Sequence, residues 1–198
     1  MNYGEQLAYW YLRLNGFFPL SSFVVHRSSA VQYTSDIDVL AIRAPYVYEE
    51  IGGQHDDWDR GIASELGFGH WIGLVCEVKT GQFDRTTLFR QEYLRYAVGR
   101  LGLVESQRIP RVLEELANRP LIILDDNTTI CKLLISSQEM RSSTFVARTL
   151  ANAEDFLAER VRRYPQEKFA DRMFFPSQLF QFVIAQVHRE IERRTTAG

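Results

Sequence analysis

The sequence predicts an α/β protein: a central mixed sheet flanked by helices, with a helical C-terminal extension. Short apolar runs of strand length alternate with longer stretches of helical periodicity up to about residue 135. Two of those strand-like runs also carry ionisable residues where a buried strand ordinarily carries none, in Ser35-Asp36-Ile37-Asp38-Val39-Leu40 and in Leu74-Val75-Cys76-Glu77-Val78-Lys79. At 198 residues, with 45% apolar and 24% charged side chains, the chain has the composition of one globular domain with a substantial core.

Residues 3–15 read as a helix that Gly16 ends. Aromatic and leucine side chains cover most of its surface, and a helix apolar nearly all round is buried. Tyr9-Trp10-Tyr11 and Phe17-Phe18 are accordingly expected in the core, not as base-stacking platforms. Strands follow at 23–26, 37–43 and 71–79. Between the last two lies a long insertion, 44–70, with Gly52-Gly53, Gly61 and the cluster Asp56-Asp57-Trp58-Asp59; its composition suits a mobile, solvated acidic flap. After Thr80-Gly81 a single helix is expected over 84–101 with Asp84 as its N-cap, and a second follows Pro110. Strands at 121–124 and 130–135, joined by Asp125-Asp126-Asn127, make a hairpin. Helices at 151–164 and 176–193 close the chain. The division is a core of residues 1–138, with the insertion, and an extension of 139–198 packed on it.

Strand side chains alternate faces, so Asp36 and Asp38 share one face, as do Glu77 and Lys79. Two carboxylates from neighbouring strands with a lysine beside them make an oxygen-rich site for a hard divalent cation. That is a phosphodiester-cleaving arrangement.

An acidic strand followed by Glu-x-Lys resembles the PD-(D/E)XK nuclease superfamily, also called restriction-endonuclease-like. The segments Gly4-Glu5-Gln6-Leu7-Ala8 and Leu14-Asn15-Gly16-Phe17 extend the likeness, being similar to the Glu-bearing first helix of Holliday junction resolvases and Mrr-type nucleases. The resemblance covers roughly residues 3–135. It departs from the pattern in that no Pro precedes the aspartate, which makes Asp38 the expected ligand and Asp36 an auxiliary, and in the length of 44–70. It implies a restriction-endonuclease-like core in which Asp38, Glu77 and the Val78 carbonyl ligate Mg²⁺ or Mn²⁺. Lys79 would orient the attacking water or stabilise charge at the phosphate. Glu5 is either the accessory carboxylate that the family places on this helix or a residue complementing the helix dipole. Gln91, with Tyr96 beyond it, lies on the helix that carries a Gln and a Tyr in RecB-type members, but the spacing differs from their four residues. The implied function is metal-dependent hydrolysis of nucleic acid, DNA foremost, in repair, restriction or phage defence, with a homodimer or protein partner compatible. The alternative is an inactive nuclease-fold module that binds nucleic acid or a protein; a further one is a structural ion-pair network in an unrelated fold.

The remaining polar features have plainer readings. Arg85, Arg90, Arg95 and Arg100 recur every five residues and so spread around a helix. His55, Asp56, Asp57, Asp59 and His70 match no zinc spacing. Arg160, Arg162, Arg163, Arg189, Arg193 and Arg194 are the most basic surface expected, a candidate track for a nucleic-acid backbone. A net charge of −2 argues against non-specific coating of nucleic acid. Cys76 and Cys131 read as unpaired core thiols suited to a reducing cytoplasm, and no run of about 18 apolar residues predicts a membrane span.

Overall fold

A computed structural model describes residues 2–26, 33–48, 57–124, 127–164 and 178–196. Asn2 starts helix α1 (Tyr3–Leu14) with a reciprocal capping box: its side chain accepts the Glu5 amide, and the Glu5 carboxylate accepts the Asn2 amide. Leu7, Ala8, Trp10, Tyr11, Leu12 and Leu14 are buried, as the all-round apolar surface requires. Gly16 then turns the chain at φ +81°, a conformation that favours glycine.

Strands β1 (Phe18–His26), β2 (Tyr33–Arg43), β3 (Ile72–Lys79), β4 (Leu121–Ile123), β5 (Thr129–Ser136) and β6 (Val146–Thr149) form one mixed sheet. Its order is β1-β2-β3-β5, with β4 and β6 sharing the far edge of β5 end to end. The β1–β2, β2–β3 and β4–β5 pairs are antiparallel; β3–β5 and β5–β6 are parallel. Every residue of β5 is buried, as expected for a central strand covered on both faces.

Helices α1 and α5 (Leu150–Arg163) cover one face, where Val39, Leu74, Cys76, Cys131 and Leu133 meet Leu7, Leu157 and Val161. Helix α6 (Gln178–Thr196) adds Leu179, Ile184 and Val187 to that core. Helices α3 (Gln91–Leu101) and α4 (Ile109–Ala117) cover the other face, packing Leu94, Val98, Val112 and Leu116 onto Leu40, Val75, Ile130 and Leu134. Both thiols are buried, and burial pushes them well above their ordinary range. Among the described residues no helix is long and apolar enough to cross a membrane.

Several sequence expectations require correction. Phe18 is 71% exposed, because it starts the edge strand and points away from the core that Phe17 enters. The segment 139–149 is not purely a lead-in to helices, since it supplies β6. The helix expected over 84–101 is broken: Asp84 caps only a 3₁₀ turn (Arg85–Thr87), and α3 starts at Gln91.

The described part of the insertion is not a solvated acidic flap. Asp59 caps a further helix, α2 (Arg60–Leu66), and accepts the Tyr11 hydroxyl at 2.6 Å, while Ile62 and Leu66 enter the core. Asp57 is buried against Arg160, Arg163 and Tyr164. His70 sits 2.5 Å from the Thr129 hydroxyl. His55 and Asp56 lie outside the described residues. Of the C-terminal arginines, Arg162, Arg163, Arg189, Arg193 and Arg194 are exposed and Arg160 is not. Arg160 is buried and donates to the Leu14 carbonyl at 2.9 Å, while Arg162 and Arg194 pair with Glu190.

Candidate active site

Strands β2 and β3 are paired from Arg43/Ile72 to Val39/Cys76, and their ladder stops there. The next residues along each strand, Asp38 and Glu77, therefore stand at the mouth of a fork. The Lys79 carbonyl is taken by the Ser137 amide on the β5 side. Strand alternation leaves the N–H and C=O of Val78 facing the β2 side, with no β2 ladder to join. The Val78 amide donates instead to Asp38 Oδ2 at 2.6 Å. Ile37, at the fork, packs into the α3-side core although Val39 packs on the α1 side, so strict alternation from Asp38 holds only toward the paired end.

Three of the predicted residues converge here. Lys79 Nζ lies 3.5 Å from Asp38 Oδ2 and 3.3 Å from Glu77 Oε2, bridging two partly buried carboxylates. Glu77 Oε1 accepts the Phe89 amide at 2.6 Å from the connection into α3. The site also lies at the carboxyl ends of the parallel strands, where α/β sheets present their ligand crevices.

Burial sets the electrostatics. Desolvation raises the Asp38 carboxyl above its ordinary value; the Val78 amide and Lys79 oppose that rise without cancelling it, and the nearby Glu5 charge adds to it. Desolvation raises Glu77 in the same way, against the Phe89 amide and Lys79. For Lys79, burial alone would lower the ammonium, but Asp38 and Glu77 together outweigh it and hold the group above its usual range. At both carboxyls the cost of burial outweighs what Lys79 and the backbone amides give the charged form.

Glu5 has the structural role of closing the α1 capping box, yet it also stands close enough for its charge to reach Asp38. Gly4 explains the approach: a Cβ there would lie 2.5 Å from Thr80 Cγ2 and 3.0 Å from Val78 Cγ1, so the start of α1 rests directly on the end of β3. Gln91 is brought less close. It is the exposed first residue of α3, two positions after Phe89, and no hydrogen bond among the described residues joins it to the cluster. Arg85, Arg90, Arg95 and Arg100 are all exposed on the same connection and helix.

Among the described residues no group of three or more His, Cys, Asp and Glu side chains is placed to hold a metal ion. What the fork offers is two carboxylates and the Val78 peptide oxygen. That all-oxygen set is compatible with Mg²⁺, which keeps several waters and takes one or two carboxylates. The Lys79 ammonium lies between the two acids. The Phe89 amide is the element of the site that sequence reasoning missed, because residues 84–101 read as an uninterrupted helix in which that N–H would be internally bonded. Comparison with protein-family models, curated proteins and solved structures found no match for this chain.

Proposed function

We propose that the chain is a metal-dependent nuclease with a restriction-endonuclease-like core, hydrolysing phosphodiester bonds in nucleic acid and in DNA foremost. The observation that carries this reading is the meeting of Asp38, Glu77 and Lys79 at the β2–β3 fork, beside a Val78 peptide turned into the same opening. In this reading Asp38, Glu77 and the Val78 carbonyl hold Mg²⁺ or Mn²⁺. Such an ion, when bound, polarises a phosphoryl oxygen and lowers the pKa of a bound water. Lys79 places a positive charge next to that opening, where it orients the water or stabilises the charge that develops on the phosphate. The Val78 and Phe89 amides hold the two carboxylates in position before substrate arrives.

The double contact of Lys79 with both acids also favours a second reading, in which the three groups are a structural ion-pair network. Thermal denaturation with and without divalent cations separates the two. A cation bound to the folded state at about 100 times its Kd adds about 2.7 kcal/mol, or roughly 5–10 °C in Tm for a chain of this length. We expect that gain with Mn²⁺ or Mg²⁺ for the native protein and its loss in Asp38→Asn/Glu77→Gln. The sign with pH follows from the raised carboxyls. Without metal, their deprotonation removes stability as pH rises from the unfolded values through the raised folded ones. The metal needs the deprotonated forms, so its gain should fall away on acidification. An equal gain in the double variant would leave the ion-pair reading standing.

A further inference from the structure

We infer that Phe89 is a positioning residue for Glu77: its buried ring holds the backbone in a left-handed turn that aims the Phe89 amide at one carboxylate oxygen. The inference rests on the nuclease reading for its consequence, but its geometry stands independently. Phe89 has φ +49°, a conformation uncommon for any residue but glycine and sparse for a bulky one. In a continuous helix over 84–101 the Phe89 N–H would bond the carbonyl four residues earlier. Here the Leu88 amide bonds Arg85, helical bonding resumes with Tyr93 and Leu94 on Arg90, and the Phe89 N–H points outward to Glu77 Oε1 at 2.6 Å. The interruption is what makes the donor available.

The side chain explains why the turn persists. The Phe89 ring is 8% exposed and packs against Phe145 with centroids 5.6 Å apart, tilted by 40°. Lys132 Nζ stands 5.7 Å from the same ring and donates to the Leu116 carbonyl, so the ring is seated between β5 and the chain that leads into β6. Glycine would adopt this φ freely but would bring no such anchor. Strained backbone survives where the surroundings over-determine it, and such places concentrate at functional sites. With Oε1 fixed by the amide, Oε2 is the oxygen left toward Lys79 and the fork.

The test combines one spectroscopic readout with one binding readout. In the wild-type protein the Phe89 amide proton should resonate downfield, and Glu77→Gln should move it upfield more than any amide not in contact with Glu77. Loss of a group that orients a metal-binding side chain typically lowers metal affinity or activity about 10–100-fold. Phe89→Ala should therefore weaken Mn²⁺ binding, followed by electron paramagnetic resonance, by about that factor, and Phe89→Leu, which keeps an apolar anchor, should recover most of it. A Phe89 amide indifferent to Glu77→Gln overturns the inference whether or not the alanine variant folds. So does Mn²⁺ binding unchanged in a folded Phe89→Ala. If the wild-type protein itself binds no divalent cation and cleaves nothing, the nuclease reading fails, while the amide response still decides whether Phe89 positions Glu77.

Discussion

Lys79→Ala is expected to reduce kcat on a nucleic-acid substrate by about 10²–10⁴-fold, the range associated with a positioned acid–base or charge-stabilising group. The substitution removes the cation that lies 3.3 Å from Glu77 and 3.5 Å from Asp38, so it has a second consequence. Without the ammonium the two carboxylates, both already raised by burial, face each other with no bridging charge. The metal-free variant should lose stability relative to the wild type, and a divalent cation should stabilise it by at least as much as it stabilises the native protein. A role realised at the reacting phosphate leaves substrate and metal binding largely intact and acts on turnover. Steady-state kinetics alongside thermal denaturation checks both halves. An alanine variant that retains native kcat would remove Lys79 from the chemistry, and one that fails to fold even with metal would favour the structural ion pair.

The largest effect on stability is expected at Asp57. Its carboxylate lies 3.6 Å from Arg160 and bonds Arg163 and Tyr164, and the side chains of Asp57 and Arg160 are only 5% and 4% exposed. Removing one partner of a buried ion pair leaves the other charge uncompensated and typically costs about 3–5 kcal/mol. Asp57→Ala should destabilise the fold by that order in urea denaturation, with the Arg160 bonds to the Leu14 and Asp57 carbonyls under strain to absorb the charge. The change should reach beyond the insertion, because Arg160 ties α1, residue 57 and α5 together. A loss below about 1 kcal/mol, the scale of an exposed pair, would mean that the contact is not buried in solution.

How much of this was legible beforehand depends on the range of the signal. The strands around Ile37–Arg43 and Leu74–Lys79, the buried first helix and the 121–135 hairpin each announce themselves within a few residues, through apolar runs or turn chemistry. The convergence of Asp38, Glu77 and Lys79 was legible for the same reason: period-two alternation puts each on a known face, and strand pairing does the rest. Asp57 was not. An acidic residue in a Gly-containing stretch reads as solvated, and the buried Arg160 that pairs with it stands 103 positions later. Strand β6 is four residues long and only Val146 in it is buried, so no periodicity develops. Phe89 was hidden differently. Local propensity favours one helix through 84–101, and the break follows from tertiary packing of a ring against Phe145 and Lys132.

The central claim is catalytic, and the most direct measurement is cleavage. The purified protein should be incubated with labelled duplex, branched and single-stranded DNA and with RNA, each in Mg²⁺, Mn²⁺ and EDTA. The account predicts that at least one DNA substrate is cut with a divalent cation, that EDTA stops the reaction, and that Asp38→Asn/Glu77→Gln is inert while folded. Failure of the folded wild-type protein to cut any substrate with either metal, or cutting that persists in EDTA or in the double variant, would contradict it.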